Sequence, residues 1–500
     1  MPDLGRSHRL AAILLLGFAS GLPLALTGQA MQAWLATDGV DIATIGFFGL
    51  IGVPYTFKFL WAPLMDRFEP PWLGRRRGWL ALTQGMLALV LFMLSGLSPG
   101  ERPGIFALWA GLLAFLSASQ DVVVDAYRAD VLADPAEHGP GASLHVFGYR
   151  LAMIVSGGLA LIWADQWRSW PKVYALMGAI MGGAAFVSLA LLPRVRDDSQ
   201  PLPSSAGGEL RGFLAMLAGV GAGCFLARGI LALLGLDAHS AERWIRLSFV
   251  MAEIACALPL AWWFARLARF ETLNASLAAY FAQPGAGLFL LLIVLYKLGD
   301  AFAGSLSTAF LIKGLAFSQA EVGIANKIIG LWLTIAGALI GGALMLRLSL
   351  YRALLLFGVL QLASNFGFWL IAALGRGAWG SVAVPPFDWG VVSLNDAASL
   401  DFLLLSVIAG ENLTGGMGTV ALVALLMALC NRRFTATHYA LLSALAAVGR
   451  IYVGPVAGVL AESAGWPAFY LFSVAAAVPG IVMVHWMRTP LRALAGRQGR

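Results

Sequence analysis

The chain has 500 residues, 60% of them apolar and only 12% charged. Soluble domains carry about 25% charged residues, so composition excludes an ordinary soluble enzyme or binding module and points to a polytopic membrane protein. The net charge of +7 does not signal nucleic acid, because basic residues of membrane proteins gather on their cytoplasmic loops.

Runs of about 20 apolar residues, enough to cross a hydrocarbon core, predict fourteen helices. They cover 10–35, 42–65, 79–98, 105–131, 144–164, 172–192, 212–236, 246–267, 286–312, 321–346, 352–373, 403–429, 438–461 and 466–487. The first is read as a span and not a cleaved leader, because it runs from Leu10 to Leu35 with many spans after it. With the N-terminus inside, 19 Lys and Arg fall on cytoplasmic segments and 7 on outer loops. That bias predicts cytoplasmic termini. Six spans lie within 1–192, and PRVRDDSQPLPSSAGGELR (193–211) reads as a cytoplasmic linker from its Pro, Ser and Gly content. Two more form an inserted hairpin with its cytoplasmic loop (212–285), and six occupy 286–500.

A weak internal repeat supports six plus two plus six. DIATIGFFG (41–49) and SQAEVGIAN (318–326) take matching places, and Arg150 and Arg450 are each followed eight residues later by Gly158 and Gly458. Parallel repeats of this kind build secondary transporters. The fold class is therefore all-α, with two six-helix halves and two inserted helices.

In chain order, the intramembrane charges begin with Lys58. The stretch SASQDVVVDAYRADVL (117–132) then carries Asp121, Asp125, Arg128 and Asp130 at the end of a span. At 1.5 Å of rise per residue, Asp121 falls about 6 Å to the cytoplasmic side of its helix centre, and Lys58 and Arg150 fall at nearly the same depth. Ser117, Asp121, Asp125 and Arg128 share one face. Such a stripe faces protein or water, either as a salt-bridge cluster fastening helices or as carboxylates that take and release a proton. Asp121 has two candidate partners, Lys58 and Arg150. Asp125 is the freer carboxylate and the first choice for proton coupling.

Arg228 and Glu253, one on each inserted helix, are predicted to pair with each other. In the later spans, Lys297 and Asp300 sit mid-span in YKLGDAFAGSLS (296–307), Arg450 sits mid-helix, and Glu411 and Lys327 are displaced outward. Asn412 and TGGMG (414–418) follow Glu411, where the helix can bend or pack closely. Structural ion pairs and ligand binding both remain open for this set.

Other chemistry is sparse. No glycine is followed by lysine, so there is no P-loop. The six histidines show no metal-ligand spacing, and Cys224, Cys256 and Cys430 build no disulfide framework. The expectation is no metal, no cofactor and no catalysis, with energy drawn from an ion gradient worth roughly 2.3 kcal/mol per proton per 100 mV.

APLMDRFEPPWLGRRRGW (62–79) resembles the short cytoplasmic loop of the major facilitator superfamily. On that resemblance Asp66, Arg67, Arg75, Arg76 and Arg77 form a conformational gate. GFASGLPLALTGQAMQAWL, TIGFFGLIGVPYTFKFLWAPLMDR, GYRLAMIVSGGLAL, LYKLGDAFAGSL, ENLTGGMGTVALVALLMALCN and LLSALAAVGRIYVGPVAG, together with GRRRGW and SASQDVVVDAYRADVL, resemble the AmpG muropeptide permeases. The stretch QDVVVDAYRADVL alone is similar to acetyl-CoA transporters as well.

The resemblance implies a monomeric, multi-pass inner-membrane importer of Gram-negative bacteria. It would carry anhydromuropeptides with protons from periplasm to cytoplasm for peptidoglycan recycling, which also feeds β-lactamase induction. Its partners would be that small molecule, protons and the lipid bilayer, with no nucleic acid. A muropeptide offers carboxylates to Lys58, Arg150, Lys297 and Arg450, and sugar hydroxyls to Gln29, Gln32, Gln120 and Asn412. Trp34 would stack on a sugar or anchor at the interface. Proton-coupling candidates are Asp125, Asp121, Asp300 and Glu411. The alternatives are a transporter of another amino-sugar or CoA ester, or a sensor of cell-wall fragments that transports nothing. The segment 374–402 and the inserted pair fall outside the resemblance.

Overall fold

The computed structural model describes residues 6–498 apart from 62–64, 66–69, 71–73, 132–134, 193–204, 238–241, 271–273, 275–277, 279–280, 283–284, 346, 389, 391–392, 395–396 and 430–434. It is helical almost throughout. The first group of helices comprises α1 (Arg6–Leu26), α2 (Gln29–Thr37), α3 (Ile42–Phe48), α4 (Val53–Phe57), α5 (Arg75–Ser95), α6 (Pro103–Val131), α7 (Pro135–Met153), α8 (Ala160–Trp167) and α9 (Trp170–Leu191). The inserted hairpin is α10 (Ala206–Leu233) and α11 (Arg243–Leu267). The last group comprises α12 (Ala286–Tyr296), α13 (Leu298–Ser305), α14 (Gln319–Val322), α15 (Gly330–Met345), α16 (Leu350–Leu374), α17 (Phe402–Leu429), α18 (Thr435–Ala464), α19 (Trp466–Trp486) and α20 (Arg488–Gln498).

Among the described residues, twelve helices are long and apolar enough to cross a membrane. The expected span over 42–65 differs from the rest. It is two short helices, α3 and α4, joined by 3₁₀ turns at Gly49–Gly52 and Lys58–Leu60, and its apolar helical stretch is the shorter Ile42–Phe57. Gly49, Gly52 and Pro54 explain the first break, since glycine weakens helices and proline removes a backbone donor. The expected span over 438–461 corresponds to α18, which is not among the twelve and many of whose side chains lie outside the described residues.

Within this all-α membrane architecture, the segment between α16 and α17 adds a small β element. Residues 375–401 between α16 and α17 carry four short strands: β1 (Ser381–Val384), β2 (Phe387–Asp388), β3 (Ser393–Leu394) and β4 (Ala398–Asp401). β1 pairs antiparallel with β4, and β2 with β3. Arg376 fastens this segment to α14, donating to Glu321 Oε1 at 2.7 Å and to the Ala316 carbonyl at 2.9 Å. Ser399 N–H donates to the same Glu321 oxygen at 2.7 Å. Leu394 and Ala398 pack with Ile162 of α8, so the segment touches both helix groups.

Each group packs chiefly on itself, α1 against α7 and α5 against α9 in the first, α15 and α16 against α17 in the last. Glycine permits the closest approaches. A Cβ on Gly148 would lie 2.3 Å from the Leu14 carbonyl, so no larger residue fits between α1 and α7. The seam between the groups closes where α3 crosses α18. There a Cβ on Gly46 would lie 2.5 Å from the Gly454 carbonyl and 2.7 Å from Gly458 Cα.

Three described hydrogen bonds also cross this seam: Gln32 Nε2 to the Ser305 carbonyl at 2.7 Å, Ala43 N–H to Glu462 Oε2 at 2.8 Å, and Lys313 Nζ to the Val40 carbonyl. All lie toward the end that carries 375–401, here called the loop end. The opposite end, where α9 finishes and α10 begins, is the linker end.

Candidate functional site

The polar stripe on α6 meets the broken segment α3–α4. Phe57 ends α4 and Lys58 opens the next 3₁₀ turn, and this irregular backbone carries the Lys58 ammonium toward α6. Lys58 Nζ lies 3.3 Å from Asp121 Oδ2, and the Ser20 hydroxyl of α1 donates to Asp121 Oδ1. The Tyr55 and Thr27 hydroxyls are 3.2 Å apart on the same wall. Three helices therefore meet at one carboxylate whose side chain is 16% exposed. Of the two candidate partners for Asp121, Lys58 is the one brought to it. The Arg150 guanidinium instead lies 4.0 Å from the Met153 sulfur on its own helix.

One turn toward the linker end, Asp125 pairs with Arg128 at 3.2 Å. Both come from the same helix, three residues apart, so no tertiary contact is needed to assemble the pair. The Asp125 side chain is 53% exposed. It is the more accessible of the two carboxylates, and exposure is what proton exchange with a water-filled cavity needs.

In the last group, Lys297 sits at the break between α12 and α13, where its Nζ lies 3.0 Å from Asp300 Oδ2. Gln361 of α16 donates to the same oxygen at 2.7 Å. Gly418 of α17 makes room for that amide, because a Cβ there would lie 2.5 Å from Gln361 Nε2. Glu411 is half-buried and within electrostatic reach of the buried Tyr470 hydroxyl.

Several expected ligand contacts take other roles. Trp34 is 3% exposed, packed at 5.0 Å on Phe106, 4.7 Å on Tyr174 and 6.3 Å on Trp170. Its ring has no face left for a sugar. Gln120 is fully buried on α6, where no solute reaches its amide in this conformation. Asn412 spends both ends of its amide within the protein, donating to the Ile408 carbonyl at 2.8 Å and accepting from Thr334 at 2.8 Å. Gln32 ties the seam, and Gln29 is half-buried at the start of α2. Position in a span gives depth, whereas these outcomes depend on which way each helix face turns.

Asp66 and Arg67 lie outside the described residues, as do the side chains of Asp130, Lys327 and Arg450. Arg75, Arg76 and Arg77 open α5, and Arg77 donates to the Leu189 carbonyl at the end of α9. Arg228 Nε lies 2.6 Å from Glu253 Oε1, joining α10 to α11.

Sequence reasoning passed over Ser20, Gln361 and Thr334. A lone Gln in the apolar run 352–373 is a readable signal, because an amide in a membrane helix needs a partner. Ser20 lies among the small residues of GFASG and carries little signal of its own.

A family model described as acetyl-coenzyme A transporter 1 matches residues 10–101. The anhydromuropeptide permease of Escherichia coli K12 is 45% identical over 484 residues, covering 97% of this chain and 80% of that protein. The chain belongs to the anhydromuropeptide permease family. A putative transporter AmpG 4 of Rickettsia conorii is 27% identical, over 97% of each chain. Among solved structures, a POT family transporter bound to 5-aminolevulinic acid superposes with a TM-score of 0.66 at 14% identity, covering 96% of each chain. The nucleoside transporter NupG gives 0.56 at 12% identity, covering 96% of this chain and 98% of that one. These likenesses place the chain in the major facilitator-type fold, as a multi-pass protein of the inner membrane.

Proposed function

We propose that this protein is a proton-driven importer of anhydromuropeptides, carrying them from periplasm to cytoplasm for peptidoglycan recycling. The reading is supported above all by the 45% identity to a named anhydromuropeptide permease across 97% of the chain. The Lys and Arg bias assigns the loop end to the periplasm and the linker end to the cytoplasm. The seam is closed at the loop end, so the structure corresponds to a state sealed toward the periplasm.

Coupling follows from competition for cations. A muropeptide carboxylate entering the cavity finds Lys58 already held by Asp121, and Lys297 held by Asp300. A proton on Asp121 would discharge that pair and release Lys58 to the solute, so proton and substrate favour each other's binding. Asp125, exposed and one turn nearer the cytoplasmic end, is the proton's point of exit, and Arg128 favours its ionised form once the proton leaves. Arg150 is a standing cation for a second substrate carboxylate, with Lys297, Arg450 and Gln29 as further candidate contacts. On the same reading the functional unit is a monomer, since one chain contains both helix groups.

Uptake of labelled anhydromuropeptide into energised vesicles tests the reading. Accumulation should collapse on adding a protonophore. Binding without accumulation would favour a sensor, and uptake of a CoA ester in its place would reassign the solute. Asp125→Asn should abolish gradient-driven accumulation while membrane insertion persists. Full gradient-driven uptake in that variant would remove Asp125 from the coupling path.

A further inference from the structure

The inserted hairpin has no part in the site described above, yet it is not merely appended to the outside. Its second helix, α11, begins at the loop end of the seam and touches both sides of it. On the side of the last group, Arg243 Nη2 lies 2.6 Å from Glu462 Oε1 of α18. On the side of the first group, the Arg246 guanidinium lies over the Phe47 ring of α3, 6.0 Å from its centroid. Between them Leu247 is buried with Ala43 of α3 and Val459 of α18.

Glu462 is the centre of this junction. It stands one turn beyond Gly458, where α18 crosses α3 at closest approach. Its second carboxylate oxygen accepts the Ala43 N–H at 2.8 Å, one of the donors that a helix start leaves without an intrahelical partner. Asp41 caps the neighbouring Thr44 N–H from within the same segment. Helix α3 is thus capped once by its own chain and once across the seam. Separating the two groups at this end must break the Glu462–Ala43 bond and uncover Leu247.

We infer that Glu462 and Arg243 are positioning residues of the transport cycle, through which the inserted hairpin braces the periplasmic gate shut. Arg243 holds the Glu462 carboxylate in the orientation that accepts from Ala43, and Leu247 fills the groove between the two crossing helices. Because α11 contacts both groups, it cannot travel with one of them without losing contact with the other. The hairpin therefore weights the equilibrium between periplasm-closed and periplasm-open states. Loosening it enlarges the open fraction, which lowers the apparent Kd for external solute by the same factor.

The direction of this effect rests on the importer reading, but its test does not need the solute. Val40→Cys, in a background with Cys224, Cys256 and Cys430 changed to Ser, places a thiol at the closed seam, where Val40 is 8% exposed. Its labelling by a membrane-impermeant maleimide, added from the periplasmic side of whole cells, reports opening. Arg243→Gln and Glu462→Gln should each raise the labelling rate about two- to fivefold, in keeping with a partly exposed ion pair. The double variant should exceed neither single one by much, because both act on one junction.

Arg243→Lys should return most of the wild-type rate. Arg228→Gln, which breaks the pair inside the hairpin away from the seam, should leave it unchanged. Wild-type labelling in both Arg243→Gln and Glu462→Gln overturns the inference, as does an equal rise in Arg228→Gln. If Arg243→Gln does not insert, Glu462→Gln and Arg243→Lys decide alone. A wrong solute would leave the labelling result standing, and a failed labelling result would leave the uptake assay intact.

Discussion

Among the described residues, two lysine–aspartate pairs lie inside the membrane region, and they are built on different plans. Lys58 and Asp121 come from different helices, 63 residues apart, and meet at 3.3 Å with a serine from a third helix behind them. Lys297 and Asp300 come from one turn of chain and meet at 3.0 Å, with the Gln361 amide of α16 clamped on the same oxygen. The first pair joins separate helices of the first group. The second stiffens a break in one helix. A pair that joins helices can report and drive their rearrangement, whereas a pair within one turn survives any rigid motion of that helix. The coupling role therefore fits the first better.

The comparison breaks most visibly if the lysines are removed. Lys58→Ala leaves the 16%-exposed Asp121 with only the Ser20 hydroxyl. Allowing for the one-third exposure of Lys58, the loss should be about 2–3 kcal/mol in thermal unfolding of the detergent-solubilised protein. Asp121→Asn in the same background should recover most of it, since the stranded charge is then gone. Lys297→Ala should cost less, about 1–2 kcal/mol, because Gln361 still donates to Asp300. An equal cost for both lysines would erase the distinction between the pairs.

Gly418→Ala sharpens the contrast without changing any charge. The new methyl would lie 2.5 Å from Gln361 Nε2 and push the amide off Asp300. Uptake should fall by about threefold or less and unfolding should shift by about 1 kcal/mol, the worth of one hydrogen bond to a charged group discounted for partial exposure. A loss of uptake as deep as that of Lys58→Ala would show that the second pair also takes part in coupling.

Asp41, outside the membrane spans, sets the baseline for a carboxylate that only caps a helix. Burial alone would raise its pKa, but the Thr44 hydroxyl and amide and the nearby Arg246 outweigh burial and hold it below the ordinary value. Its stabilising contribution is therefore complete above the unfolded carboxylate range and is lost as pH falls through the lowered folded value. Asp41→Ala should cost about 1 kcal/mol at neutral pH, and the gap from wild type should close in acid. A gap that persists unchanged in acid would mean that the ionised form contributes nothing.

What was legible in the chain is what distance along a helix controls. Hydrophobic run length marked the spans, and i, i+3 spacing made Asp125–Arg128 and Lys297–Asp300 neighbours by construction. Arg228 and Glu253 were legible too, since they lie at matching depths on adjacent antiparallel helices. Depth was equally readable for Lys58, Arg150 and Asp121, but depth leaves the rotation of each helix undetermined. Close glycine crossings such as Gly148 on Leu14 and Gly46 on Gly458 set those rotations. They brought Lys58 rather than Arg150 to Asp121, and they turned Trp34 and Gln120 into the core.

The Glu462 junction shows the limit most sharply. Its partners Ala43 and Arg243 are 419 and 219 positions away, and nothing local in either segment names the other. The sequence by itself determined the number and depth of the intramembrane charges, because both follow from counting along a helix of known rise. Only the tertiary structure decided which charges meet, because that depends on the faces the helices present once their backbones are pressed together.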